Sequence, residues 1–252
     1  MIRLSVVIIT KNEAYNMRRC LDSVRNIANE VIVVDSGSQD GTIAICKEYG
    51  CTVIHRDFDG YSNQKQFAVD QASNDWVLSV DADEEITPEL GSEIQTLLDQ
   101  DIIPEAGFFI PRLFHYMGRV MKHGGAGSQF YMRLYNRHNG RFTKVPVHEV
   151  IEVDGPTGYL SGTMIHYSYR DIAHHIEKIN TYSTLAAEGY IRKGRRFSTW
   201  WVALKFPVTF ITCYFIKGGF RDGYPGFMWA WLAAVTASLK IAKTLEHKGT
   251  SK

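Results

Sequence analysis

Three short apolar runs in the first third of the chain each break off into polar side chains, and that repetition restricts the fold more than any other feature. Leu4–Ile9 leads to Thr10-Lys11-Asn12-Glu13, Glu30–Val34 to Asp35-Ser36-Gly37-Ser38, and Trp76–Val80 to Asp81-Ala82-Asp83-Glu84. Short β-branched runs of this kind read as buried strands. Between them lie helical spacings, with Met17, Cys20, Leu21 and Val24 on one face, then Ile43–Tyr49 and Tyr61–Ala72; Cys51–His55 reads as one more strand. Thr87-Pro88 opens a further helix to about Leu98. Strands alternating with helices predict a doubly wound, mainly parallel α/β sheet with right-handed crossovers. Such sheets bind ligands beyond the carboxyl ends of their strands, which is where the three polar segments would meet.

Asp81, Asp83 and Glu84 place carboxylates together that repel one another unless a cation or a hydroxyl-rich ligand lies between them. Hard oxygen ligands favour Mg²⁺ or Mn²⁺, and those ions favour a diphosphate. The same acids also suit the start of a helix, Asn12-Glu13 suits a cap, and Ser38, Asp40 and Thr42 suit a turn. No G-x-G-x-x-G follows the first strand and no G-x-x-x-x-G-K-[ST] occurs anywhere. Those absences exclude the dinucleotide fingerprint and the phosphate-cradling NTPase loop.

After Pro104 the pattern changes. Gly107–Pro111 and Gln129–Tyr135 read as antiparallel strands, and His174–Arg192 as a helix. The glycine-rich stretch His123–Gly127 is expected to be a mobile loop able to close over a ligand, and Arg133 is a candidate diphosphate ligand. The net charge of +1 hides an asymmetry: from Arg192 onward eleven Lys and Arg face two Asp and Glu, a net +9, so the remainder carries −8. Two aromatic, apolar runs share that basic tail, Trp200–Ile216 with Lys205 and Pro207 inside it, and the shorter Phe227–Leu239. Neither matches the roughly 20 residues of a spanning helix. Aromatic side chains beside Lys and Arg suit peripheral contact with a membrane surface, and no nucleic-acid partner is expected. Buried helices or a dimer contact are the alternative for the same runs. Met1-Ile2-Arg3 shows no leader pattern and Cys20, Cys46, Cys51 and Cys213 have no metal-like spacing, so reduced thiols and a cytoplasmic location are expected.

Taken together, Ser5–Glu13, Val31–Thr42 and Asp75–Glu84 resemble glycosyltransferase family 2, the inverting enzymes of GT-A fold. The likeness continues through Gly118-Arg119, Arg133-Leu134, Val147-His148-Glu149 and Lys217–Gly226, and in that longer form is similar to the lipopolysaccharide core β-1,4-glucosyltransferase subgroup. It implies a catalytic domain over 1–192, with a nucleotide-sugar-binding half at 1–104 and an acceptor and metal half at 105–192, followed by a membrane-associating helical extension at 193–252. It also implies roles. Thr10, Asn12 and Glu13 would line the nucleoside pocket, and Asp35 would bond the uracil or ribose. Lys65 would lie near base and phosphates, Asp81 and Ala82 near the ribose, and Asp83 would bind the metal. Glu149 would be the base that takes the acceptor's proton, with Glu152 and Asp154 as weaker candidates. His148 would complete the metal shell or orient Glu149. The expected reaction moves a hexose, glucose from UDP-glucose, to a lipid-linked envelope glycan such as the lipopolysaccharide inner core. A sugar nucleotidyltransferase and a non-catalytic nucleotide-binding membrane adaptor are the rival readings. Localisation would be peripheral, at the inner face of the cytoplasmic membrane.

Overall fold

The structure, a computed structural model, describes residues 2–143 and 150–249. Its contacts divide the chain into two compact units, Met1–Leu113 with Ser128–Tyr167, and Phe114–Gly127 with Ser168–Lys252. The second unit therefore takes in both the glycine-rich loop and the helix before residue 192.

Unit 1 begins with β1 (Leu4–Thr10), α1 (Ala14–Val24), β2 (Glu30–Asp35), α2 (Thr42–Glu48), β3 (Thr52–His55), α3 (Tyr61–Asp70), β4 (Trp76–Asp81), β5 (Glu84–Ile86) and α4 (Pro88–Leu98). It continues with most of β6 (Gly107–Tyr116), and unit 2 holds β7 (Arg119–Met121). Unit 1 resumes at β8 (Gln129–Asn136), β9 (Gly140–Phe142), β10 (Ile151–Val153), β11 (Thr157–Tyr159) and β12 (Met164–His166). The main sheet runs β3-β2-β1-β4-β8-β6-β12-β5, with β11 beside β6, while β9 and β10 form a separate ribbon. The first four strands are parallel, and β8 turns the sheet antiparallel by pairing with β4.

β1 sits at the centre because both its faces are apolar, as a parallel strand covered by helices requires. Leu4, Val6 and Ile8 pack with Met17, Leu21 and Val24 of α1 and with Leu90 and Ile94 of α4. Val7 packs on the opposite face with Ile32, Val34 and the α3 residues Ala68 and Val69. Thr87 caps α4 by accepting the Leu90 N–H at 3.3 Å, and Pro88 occupies the first turn, where its missing N–H costs nothing. Register then fixes the functional edge: Thr10 lies opposite Asp35, and Ile9 opposite Asp81.

Unit 2 contains α5 (Ile172–Arg192), α6 (Trp200–Ile211) and α7 (Gly223–Gly249). Asp171 caps α5 through the His174 N–H at 2.7 Å. Pro207 interrupts α6, whose path ends in a wide π turn at Thr212–Ile216 and a 3₁₀ turn at Gly219–Asp222. The core of the unit is aromatic, with Tyr116 and His175 each in ring contact with Tyr169, with Trp229 and with one another. No helix among the described residues is long and apolar enough to cross a membrane.

The glycine-rich stretch His123–Gly127 is not a loose lid. Gly124 N–H donates to the Lys217 carbonyl at 2.9 Å, and Trp229 Nε1 donates to the Gly124 carbonyl at 3.2 Å. Its glycines serve close packing, since a Cβ at Gly124 would lie 3.3 Å from the Trp229 ring.

Candidate active site

The loops after β1 and β2 are stitched together by the polar residues that follow each strand. Asn12 takes a left-handed φ of 56°, which asparagine tolerates. Its N–H donates to Ser38 Oγ and its Oδ1 accepts the Gln39 N–H, both at 2.8 Å. The Glu13 N–H donates to Thr42 Oγ1 at 2.8 Å, and the Glu13 carboxylate accepts from Asn16 Nδ2 at 2.8 Å. Asp35 is buried and folds its own loop back, accepting the Gly37 and Ser38 N–H groups at 2.9 Å and the Ser38 hydroxyl. Thr10 Oγ1 is buried without a hydrogen-bond partner among the described residues. These loops thus carry the expected turn chemistry and still present one unsatisfied hydroxyl at the strand ends.

Next to them stands a dense charge cluster. Lys65 is buried on α3, and its Nζ meets Asp81 Oδ1 at 2.7 Å. Arg133 of β8 reaches Asp81 Oδ2 at 3.0 Å and Glu84 Oε1 at 2.8 Å. Burial alone would push the Asp81 carboxyl up, but Lys65 and Arg133 outweigh it and hold the group well below the usual carboxylate range. Glu84 is the fully buried hub: Arg112 donates to it at 3.3 Å, and its Oε2 accepts the Asp81 N–H at 3.0 Å. Ala82 is buried inside this turn.

Asp83 meets a different set of partners. Its Oδ2 lies 3.2 Å from His166 Nε2, and its carbonyl accepts the Tyr167 N–H at 2.8 Å. The pairing of β5 with β12, His166 opposite Glu84, brings the histidine there. Among the described residues no three His, Cys, Asp or Glu groups converge well enough to hold a metal ion by themselves. Asp83 and His166 offer one hard oxygen and one imidazole nitrogen, a partial donor set that would need further ligands from elsewhere to hold a divalent ion.

A cavity of about 480 Å³ opens beside the cluster, lined among others by Lys65, Asp81, Arg112, Tyr131, Arg133 and Val150. That volume lies within the range of small-molecule sites. Arg112 stacks over Tyr131 at 4.0 Å from the ring centre. The structure therefore brings Thr10, Asn12, Glu13, Asp35, Lys65, Asp81, Ala82, Asp83 and Arg133 to one edge of unit 1. His148 and Glu149 lie outside the described residues. Residue patterns alone do not reach His166, Arg112 or the role of Glu84. His166 sits in a three-residue strand with no motif around it, and only the strand partner reveals it.

The sequence matches the profile of Glycosyl transferase family 2 over residues 5–147. The chain belongs to glycosyltransferase family 2. This glycosyltransferase is 34% identical, over 97% of its length and 87% of the relative's, to an uncharacterized glycosyltransferase of Rickettsia typhi. It is 32% identical to the lipopolysaccharide core biosynthesis glycosyltransferase LpsC of Rhizobium meliloti, over 97% of this chain and 92% of that one. Its fold is the GT-A fold. The mannosyltransferase PcManGT of Pyrobaculum calidifontis, solved with GDP-Man and Mn²⁺, superposes with a TM-score of 0.51 at 13% identity, over 98% of this chain and 88% of that chain. TarS 1–349 of S. aureus, solved with UDP-GlcNAc, gives 0.50 at 14% identity, over 99% and 92%.

Proposed function

We propose that this family 2 enzyme is an inverting, metal-dependent hexosyltransferase that moves glucose from UDP-glucose to a lipid-linked envelope glycan such as the lipopolysaccharide inner core. The observation that carries the reading is the Asp81–Lys65–Arg133 cluster standing beside the Asp83–His166 pair at the carboxyl ends of the parallel strands. Cations within reach of a cavity suit a diphosphate, and a carboxylate facing an imidazole suits a divalent ion. The lipopolysaccharide core assignment of the Rhizobium relative supports the acceptor class.

In the proposed reaction the acceptor hydroxyl loses its proton to a base as its oxygen attacks the anomeric carbon from the face opposite the diphosphate. The bond from that carbon to the diphosphate breaks, and UDP departs with the electron pair. Glu149 is the proposed base, and Val150 and Ile151, which follow it in sequence, line the cavity. Asp83 and His166, with His148 as a further candidate, would hold Mg²⁺ or Mn²⁺, which when bound neutralises charge on the leaving diphosphate. Lys65 and Arg133 are proposed to trade part of their contact with Asp81 for the phosphates, leaving Asp81 to the ribose. Thr10, Asn12, Glu13 and Asp35 are proposed to surround the nucleoside.

The segment from residue 193 onward is proposed to rest on the inner face of the cytoplasmic membrane. Trp200, Trp201, Leu204, Val208 and Ile211 are exposed along α6, beside exposed Arg195 and Arg196. The test is a panel of nucleotide sugars with lipid-linked and soluble acceptors, with and without Mn²⁺, read by UDP release and by NMR of the product linkage. Transfer of glucose with inversion is the expected result. Release of pyrophosphate, or nucleotide binding without any transfer, would remove the proposal.

A further inference from the structure

We propose that unit 2 carries a phosphate-binding site of its own, built by Arg119, His123, Lys217 and Arg221 around the buried Asp222, and that its ligand is the phosphate of an anionic lipid headgroup. The lipid half of this inference rests on the membrane contact proposed above.

Two segments far apart in sequence make the site, Arg119–Gly127 and Lys217–Gly226. Asp222 ties them together. It is 1% exposed, and its Oδ2 accepts the N–H groups of Lys122 at 3.1 Å and His123 at 2.8 Å. Its Oδ1 faces His123 Nδ1 at 3.2 Å. With Nδ1 held by a buried carboxylate, the imidazole is fixed in orientation, and Nε2 makes no hydrogen bond among the described residues. The His123 side chain is 31% exposed, so that nitrogen belongs to a ring within reach of solvent.

Glycines of the two segments let the cations pack closely against them. Lys217 Nζ would lie 3.1 Å from a Cβ at Gly125. A Cβ at Gly218 would touch both Arg221 Cδ, at 3.5 Å, and His123 Cδ2, at 3.6 Å. Arg119 Nη1 would be 3.7 Å from one at Gly223. Arg119, Lys217 and Arg221 are exposed, and none forms an ion pair among the described residues. The only carboxylate in the cluster is buried and already accepts three donors. Asp222 supplies one negative charge against three exposed cations, so positive charge remains in excess, and a phosphate offsets it while accepting Arg and Lys donors at full charge.

The apolar neighbours choose between sources of phosphate. Phe215, Ile216, Phe220 and Tyr224 are 58%, 75%, 51% and 61% exposed on the very segment that supplies Lys217 and Arg221. A soluble phosphate ester gains nothing from them. A headgroup phosphate at the edge of the hydrocarbon does, because apolar side chains can enter the acyl boundary while the cations stay at headgroup level.

Flotation of the full chain with vesicles tests this. Wild-type protein should bind phosphatidylcholine vesicles that contain phosphatidylglycerol more tightly than phosphatidylcholine alone. Lys217→Gln with Arg221→Gln should weaken that binding roughly thirtyfold. Arg170→Gln with Arg192→Gln removes the same charge from exposed positions of the unit outside the segment proposed to meet the membrane, and should cost several-fold at most. All four positions are exposed, and unchanged circular dichroism melts will show that the variants fold. Equal losses in the two pairs would overturn the site and leave a diffuse electrostatic membrane contact standing. Failure of the wild type to float with either vesicle would remove the membrane contact and the lipid ligand together. Binding of inorganic phosphate that depends on Lys217 and Arg221, without vesicle binding, would reassign the site to a soluble ester and overturn the lipid source.

Discussion

Glu84 has no solvent to fall back on, and it serves Arg112, Arg133 and the Asp81 N–H at once. Replacing it with glutamine removes the charge while keeping the shape, so Arg112 loses its carboxylate partner among the described residues and Arg133 keeps its contact with Asp81. Breaking one partner of a buried ion pair costs about 3–5 kcal/mol, and the surviving Asp81 contact should bring Glu84→Gln to the lower end of that range. Urea unfolding measures it, and an unchanged midpoint would show that the cluster does not depend on the Glu84 charge. Asp83 is the contrasting case. It is one-fifth exposed, so Asp83→Asn should move stability by less than about 1 kcal/mol while cutting UDP release at least a hundredfold. His166→Ala should raise the Mn²⁺ concentration needed for half-maximal turnover roughly tenfold or more. A wild-type response to Mn²⁺ in both variants would take the metal away from this pair.

Elements differ in what a single methyl group does to them. In α7, a Cβ at Gly226 would collide with the Gly219 carbonyl, where the backbone has nowhere to go. Gly226→Ala should therefore destabilise by about 1–3 kcal/mol or more through overpacking. In α5, a Cβ at Gly189 meets nothing within 4 Å. Gly189→Ala should stabilise by roughly 0.5–1 kcal/mol because glycine is a poor helix former. Thermal melts of the two variants should move in opposite directions, and movement in the same direction would refute the packing argument. The same contrast explains what the amino-acid pattern discloses. β1, β2, β4 and α1 are legible because apolar periodicity is local, and Asp81 and Asp83 are legible because they end such a run. The strand at Glu84–Ile86 is not, because acids before a helix suggest a cap and its partner Met164–His166 is some eighty residues away. Lys65 looks like a surface helix lysine until Asp81 is placed against it. The glycines at 124, 125 and 127 look like a hinge until Trp229 is seen to pack on the first and Lys217 on the second. Local signals show a side chain's chemistry, while its partner is set by tertiary pairing.

For the molecule as a whole, the two compact units should answer acid at different pH. In unit 1 the carboxyls of Glu30, Asp40 and Asp81 are all held below their ordinary values, against burial, by the hydrogen bonds and cations around them. A depressed carboxylate contributes stability above its unfolded pKa and loses it only as pH falls below about 4. Asp222 of unit 2 follows the same rule. His175 does not. It is 3% exposed, with Tyr116 Oη 2.9 Å from its Nδ1 and Tyr169 stacked at 3.8 Å, and burial pushes its pKa down to about 4, helped by the charges of His174 and Lys178. Stacking on Tyr169 would favour the imidazolium, but a contact of that kind is worth at most about 2 kcal/mol and burial outweighs it. Between pH 6.5 and about 4 the unfolded chain therefore binds the proton that folded His175 refuses, so stability rises with pH across that window. The whole effect amounts to about 3 kcal/mol at most, complete near pH 7 and gone near pH 4. Acid should accordingly loosen the aromatic core of unit 2 while the ion-paired cluster of unit 1 remains in place. Hydrogen exchange at pH 7 and pH 5 would show α5 and α7 losing protection before β1 and β4. His175→Phe, which keeps a ring in the aromatic core and removes the proton site, should flatten the pH dependence. A slope unchanged by that substitution would place the acid sensitivity in some other group.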